Sequence, residues 1–179
     1  VPGAEDRIDL ERTLQVIRNE YRFRGILRED GTHDTSVYKD DNATRLTQNY
    51  AAALIQAADE QFARGEREAG LETIQLASEI SYGSNPIQYS LGVLFLRNHE
   101  WGLAEAQFQT LVERGYRPVA VYRYLGRAQE AQGKQDLAEG SYRRALHADP
   151  NDFEGMRDLF SYLWEIQGKH VEALAVLED

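Results

Sequence analysis

The chain reads as an all-α solenoid of helical hairpins with an N-terminal helical cap, and three observations lead there. Val119 to Asp152 forms a unit with two short apolar stripes at helical spacing, small residues where the two helices would meet, and a proline stop. The unit returns without a gap when the frame is shifted by 34 residues. The composition, 42% hydrophobic and 28% charged with only 4 Pro, suits stacked helix pairs wet on two sides.

In chain order, the first element is an amphipathic helix over Glu5 to Arg24, whose Leu10, Leu14, Ile17 and Tyr21 share one face. It falls outside the repeat, and it is expected to cover the stripe that a first repeat would otherwise expose. Gly25 to Asp41 lacks helical periodicity and carries a turn at Glu29-Asp30-Gly31, so it reads as a loop. Its acids do not fall at the alternating positions of a calcium loop with a central glycine and a closing glutamate, which excludes that kind of metal site. Asp41 or Asn42 then caps a long helix near 42–64, carrying Leu46, Tyr50, Ala53, Leu54, Ala57 and Ala58. Residues 1–50 therefore form the cap region and 51–179 the repeats.

Within the unit 119–152, Gly126 on the first helix and Ala138 on the second let the backbones approach, while Leu125, Tyr142 and Ala145 fill the space beside them. Gly133 supplies the turn, and Pro150 stops the second helix by pushing Asp149 out of the helical region. Unit 85–118 places Leu91, Gly92, Phe95, Ala104, Phe108 and Leu111 in the same slots. Unit 51–84 is a looser copy, with Ala57, Ala58, Gly65, Gly70, Ile74 and Ala77. From Phe153 a fourth, partial unit (153–179) keeps Leu159 and Leu163 in register, then has one extra residue before Gly168, Ala173 and Leu177.

Charge and composition narrow the function. A net charge of −10 disfavours a nucleic-acid backbone as partner, because affinity there comes from Lys and Arg releasing counterions. Without cysteine there is neither a disulfide framework nor thiolate chemistry. No run of about 18 apolar residues is present for a membrane span. A chain that starts at Val1 and stops inside a repeat is expected to be a piece of something longer.

The slots Tyr122, Leu125, Gly126, Gln129, Ala138, Tyr142 and Pro150 follow the spacing W-x2-L-G-x2-Y, A-x3-F and P, with the first aromatic exchanged and the second lost. Residues 51–179 thus resemble the tetratricopeptide repeat family. The resemblance implies a right-handed superhelix whose first helices line a concave groove that takes a peptide or another protein. A second resemblance precedes the repeats: Tyr21-Arg22-Phe23-Arg24-Gly25, Val37-Tyr38, Thr44-Arg45-Leu46 and Gln48-Asn49-Tyr50 are similar to the segment after the spans of large bacterial glycosyltransferase-like membrane proteins. It implies the tail of such an enzyme, on the outer face of the inner membrane; otherwise a cytoplasmic adaptor is expected.

The family's groove positions fall on a row Ile55, Tyr89, Arg123, Arg157 and a row Asp59, Val93, Arg127, Ser161, with Arg97, Tyr124 and Trp164 beside them. Tyr89, Tyr124 and Trp164 would offer flat apolar contact, and Arg97, Arg123, Arg127 and Arg157 would anchor acidic groups of a ligand. Two readings stand for Arg123 and Arg127, which share a helix face. They grip a ligand carboxylate or phosphate, or they pair with Glu130 and with Asp158 of the next repeat as a solvated ionic face. Trp164 likewise reads as either core or contact, and Trp101 as a further flat platform. Ile55 and Asp59 stand where the family's carboxylate-clamp subtype has Lys and Asn, which puts a chaperone-tail ligand in doubt.

Enzymatic chemistry has no support in spacing. His33, His99, His147 and His170 lie far apart in loops, turns and at a helix end, and are expected at the surface without metal. No nucleophile elbow or phosphate loop occurs. The chain is expected to be a non-catalytic, cofactor-free protein-binding scaffold. A competing role is self-assembly, with Val171, Leu174, Ala175 and Leu177 forming an apolar stripe on the last helix that pairs two copies.

Overall fold

The computed structural model describes residues 9–20, 23, 25–116 and 118–177. All regular elements among them are helical. The chain divides into two compact units, Val1–Leu91 and Gly92–Asp179.

In the first unit, α1 (Leu10–Gln15) starts at Asp9, whose carboxylate accepts from Arg12 N at 3.0 Å, and runs on as a π-helical turn, Val16–Glu20. Leu10 and Ile17 of the expected apolar face are buried. Glu5 to Ile8 and Tyr21, Arg22 and Arg24 of the expected helix lie outside the described residues. α2 (Asp41–Ala63) is the long helix, about 34 Å at 1.5 Å per residue. Its cap is Asp40 rather than Asp41 or Asn42. Asp40 is extended and accepts from Ala43 N at 2.7 Å, which leaves Asp41 as an acid in the first turn, where the helix dipole favours it.

α3 (Arg67–Ile80) folds back on α2 through Gly65, at φ 79°. α1 packs on α2, and Arg18 reaches α3, donating to Thr73 Oγ1 at 2.9 Å. The acids of the 25–40 loop serve the backbone. Asp30 accepts from Thr32 N and Oγ1, and Asp34 from Ser36 N and Oγ. The loop is pinned to the end of α3 by His33, which is buried, against the expectation of a surface histidine. Its backbone N–H donates to Glu79 Oε2, its Nδ1 lies 2.8 Å from the Glu79 carbonyl, and its ring stacks on Tyr82.

α4 (Asn85–Arg97) begins in the first unit and ends in the second. The second unit continues with α5 (Trp101–Glu113), α6 (Pro118–Ala131), α7 (Gln135–Ala148), α8 (Phe153–Ser161) with a π-helical extension Tyr162–Ile166, and α9 (His170–Ala175). The second helices of successive hairpins start at Arg67, Trp101 and Gln135, 34 apart, and at His170, 35 on, where the sequence carries its extra residue. The turn before each has one residue at positive φ: Gly65, His99, Gly133 and Gly168. His99 holds the left-handed conformation at φ 60° that its counterparts leave to glycine.

Helix pairs meet as the small residues demand. A Cβ on Gly126 would sit 2.7 Å from the Tyr142 ring, and one on Gly92 2.8 Å from Phe108. Tyr142 packs with Ala138, Leu159, Tyr162, Leu163 and Ala173 in one buried cluster that joins α7 to the fourth unit. Its hydroxyl donates to Glu130 at 2.7 Å, and that of Tyr162 donates to the Gln135 carbonyl at 2.8 Å. Neighbouring repeats are also tied by recurrent ion pairs. Lys134 donates to Glu105 at 2.5 Å and, one repeat on, Lys169 donates to Glu139 at 2.7 Å. No described helix is long and apolar enough to cross a membrane.

Candidate functional site

The cavity of interest lies wholly within the second unit. Val93, Leu96 and Arg97 from α4, Trp101 from α5, and Tyr124, Arg127, Glu130 and Ala131 from α6 line it, together with Ile166 from the end of α8, around a volume of about 660 Å³. Helical spacing explains the convergence. Val93 and Arg97 are one turn apart, as are Tyr124 and Arg127, so each pair faces the same way from its helix. Trp101 enters because His99 reverses the chain just before it, and the two rings meet edge-on with centroids 4.9 Å apart. The Tyr124 ring is backed by Phe108, stacked at 5.5 Å, which fixes its plane.

The charged rim is largely neutralised from within. Arg127 Nη2 donates to both carboxylate oxygens of Asp158, at 2.9 and 3.0 Å, while its guanidinium lies 5.5 Å from the centre of the Tyr124 ring. Glu130 is occupied by the Tyr142 hydroxyl. Burial and the Glu130 carboxylate both push that phenol up, so it stays a donor. Arg97 is exposed at the rim.

Of the residues expected to hold a ligand, Arg97, Tyr124 and Arg127 line this cavity together with Val93. Arg123 and Arg157 do not. Arg123 is only 7% exposed, and it converges with Arg127 and Arg157 on one carboxylate, Asp158. Its Nε donates to Asp158 at 3.1 Å and its Nη1 to Glu154 at 2.5 Å, with Asp152 at 3.6 Å. The picture of Arg123 and Arg127 gripping a ligand acid is therefore corrected: the acid is already present on α8, and it ties α8 to α6. Burial raises the Asp158 carboxyl, but the hydrogen bonds and charges of Arg127 and Arg123 outweigh it and hold the group below its usual range.

Trp164 also lies apart from the cavity, with Phe160 stacked on it at 5.6 Å and His170 tilted against it at 4.3 Å between ring centroids. Tyr89 is half-buried on the part of α4 that belongs to the first unit. Leu96 and Ile166 were missed by the groove rows. Leu96 has a sequence signal, since it stands three residues after Val93 on the same helix. Ile166 has none, because it reaches the cavity through the π-helical turn.

The walls are mainly aromatic and aliphatic, and Arg127 and Glu130 among the polar groups are already engaged by Asp158 and Tyr142. Among the described residues no cluster of three metal-ligating side chains exists. The profile of the tetratricopeptide repeat family matches residues 89–153, a segment that contains most of the cavity's lining. No curated protein matches the chain.

Proposed function

Residues 89–153 being tetratricopeptide repeats, modules that generally mediate protein–protein interaction, we propose that the chain is a scaffold capturing a peptide segment in the α4–α5–α6 cavity. The observation that carries this reading is the cavity itself, with Val93, Leu96, Trp101, Tyr124 and Ile166 presenting apolar surface within one unit. Such a space takes an aliphatic or aromatic anchor side chain together with part of the segment around it, and the exposed Arg97 at its rim favours an acidic residue beside that anchor. Recognition is mainly apolar, since Asp158 and Tyr142 already engage Arg127 and Glu130.

A peptide array displaying each apolar residue next to Asp or Lys tests the reading. Peptides with a large apolar residue flanked by Asp should be retained by the chain. Leu96→Glu should abolish retention, and Arg97→Glu should reverse the flank preference. Retention that is indifferent to Leu96→Glu contradicts the proposal.

A second role is self-association through α9, favoured by Val171, Leu174 and Leu177, which are 83%, 50% and 58% exposed. Sedimentation should then show a dimer that Leu174→Glu dissociates. A monomer at high concentration contradicts this role without touching the first.

A further inference from the structure

The turns between paired helices are closed by one recurring bond. The Glu66 N–H donates to the Gln61 carbonyl at 2.8 Å, Glu100 to Phe95 at 2.9 Å and Lys134 to Gln129 at 2.9 Å, each reaching five residues back. In the fourth unit Lys169 donates to Leu163 at 2.9 Å, six residues back, so the extra residue of that unit lies between them. The helix absorbs it. The π-helical turn Tyr162–Ile166 ends on a bond from the Gln167 N–H to the Tyr162 carbonyl at 3.2 Å, and the turn beyond keeps its shape, with Gly168 at φ 65° where Gly133 has 71°.

The insertion changes which side chain faces the cavity. Counted back from the left-handed turn residue, Arg97 stands two before His99, Ala131 two before Gly133 and Ile166 two before Gly168. All three line the cavity. Without the extra residue Ile166 would correspond to Gln132, which an α-helix turns about 100° away from Ala131, and which donates to Glu105 and to the Trp101 carbonyl. The row Arg97, Ala131, Ile166 therefore runs through three successive repeats in a chemical order: a cation, a small residue that permits close approach, and an aliphatic side chain that is 48% exposed. With neighbouring helices roughly 8–10 Å apart, the row spans on the order of 16–20 Å, which an extended segment covers in about five or six residues.

We propose that Ile166 is a second apolar contact for the captured segment and decides which segments are held. The ligand carries an acidic residue and its neighbouring anchor at the Arg97 end, then a spacer of about three or four residues over Ala131, then a second apolar residue against Ile166. This rests on the cavity being the peptide site proposed above, and it adds to that reading a spacing and an order that one anchor alone does not impose.

Fluorescence anisotropy of labelled synthetic peptides with the whole chain is the test. Each peptide carries Asp-Leu or Asp-Phe, a Gly-Ser spacer graded from about one to about seven residues, and a second Leu. A matched control has Ser in place of that Leu, and both sets are also made in reversed order, because the row does not fix chain direction. Binding should be tightest at a spacer of about three or four residues, and about tenfold tighter there than for the control, as burying much of one leucine side chain supplies. Ile166→Ser should bring the paired peptide down to the control's affinity without moving the control, and Ile166→Val should keep the gain. Because Ile166 is exposed, circular dichroism of Ile166→Ser should match the parent chain. A control that binds while no spacer in either order adds affinity, a gain that survives Ile166→Ser, or an equal loss for control and paired peptides overturns the inference and leaves the peptide site standing. Binding by neither set overturns the peptide site, and the inference with it.

Discussion

Gly126→Ala adds one methyl group where α6 meets α7, and the structure sets its cost. The new Cβ would lie 2.7 Å from Tyr142 Cε1, 2.8 Å from Cδ1 and 3.0 Å from Cζ, whereas ordinary contact starts near 3.4 Å. Relief requires the ring or the helix to move by roughly 0.7 Å. The ring cannot yield easily: it is 2% exposed, its hydroxyl is bound to Glu130 at 2.7 Å, and Tyr162 packs on it at 5.3 Å. Overpacking of this kind costs about 1–3 kcal/mol, and a fixed ring places it at the upper end. Alanine returns about 1 kcal/mol of helix propensity. The expected net loss is about 2 kcal/mol, seen as a melting temperature lower by roughly 4–8 °C in a chain of this size.

Urea denaturation followed by circular dichroism measures the loss, and three other glycines give the scale. Gly140→Ala has nothing within 4 Å of its Cβ and should stabilise by up to about 1 kcal/mol. Gly70→Ala meets the half-buried Phe62 ring at 3.2 Å and should be near neutral, because that ring can give way. Gly92→Ala, at 2.8 Å from the buried Phe108, should resemble Gly126→Ala. A Gly126→Ala chain as stable as Gly140→Ala would refute the close-approach argument.

Other predictions concern turns and charges. His99→Gly should raise stability by about 0.5 kcal/mol in thermal melts and Gly133→Ala should lower it by about 1 kcal/mol, opposite signs at equivalent left-handed turn positions. Asp158→Asn should cost about 2–3 kcal/mol at neutral pH in urea titrations, since it leaves the buried Arg123 short of a partner. Arg157→Ala, at the exposed edge of the same cluster, should cost less than about 0.5 kcal/mol. The folded Asp158 carboxyl lies below its usual value of 3.8, so its stabilisation is full above that pH and is lost as pH falls through the lower folded value. Wild-type stability should therefore fall more steeply than that of Asp158→Asn as pH drops below about 4.

Much of the fold was legible because repetition amplifies weak signals. The close approach at Gly126, the turn at Gly133 and the extra residue before Gly168 all follow from spacing that recurs every 34 residues. His99 was placed in a turn, but its left-handed conformation was not legible, because it stands where its equivalents have glycine. The site was legible only in part. Helical register places Val93, Arg97, Tyr124 and Arg127 on inward faces and offers Asp158 as a partner for the arginines, but it does not choose between that acid, Glu130 and an acid on a ligand. Asp158 settles that for Arg123 and Arg127, and only packing between repeats brings it there. His33 was read as a surface residue because the loop around it has no periodicity, and its burial depends on Glu79, 46 residues away.

The most direct test of the central claim uses Trp101, which lines the cavity, as its own reporter. In a Trp164→Phe background, Trp101 is the one tryptophan left. Titration with a peptide carrying a large apolar residue beside Asp should shift Trp101 emission saturably, and Leu96→Glu should remove the shift while helicity is retained. A saturable shift that survives Leu96→Glu, or none with any apolar anchor while the peptide is still bound, would place the binding surface elsewhere and contradict the account.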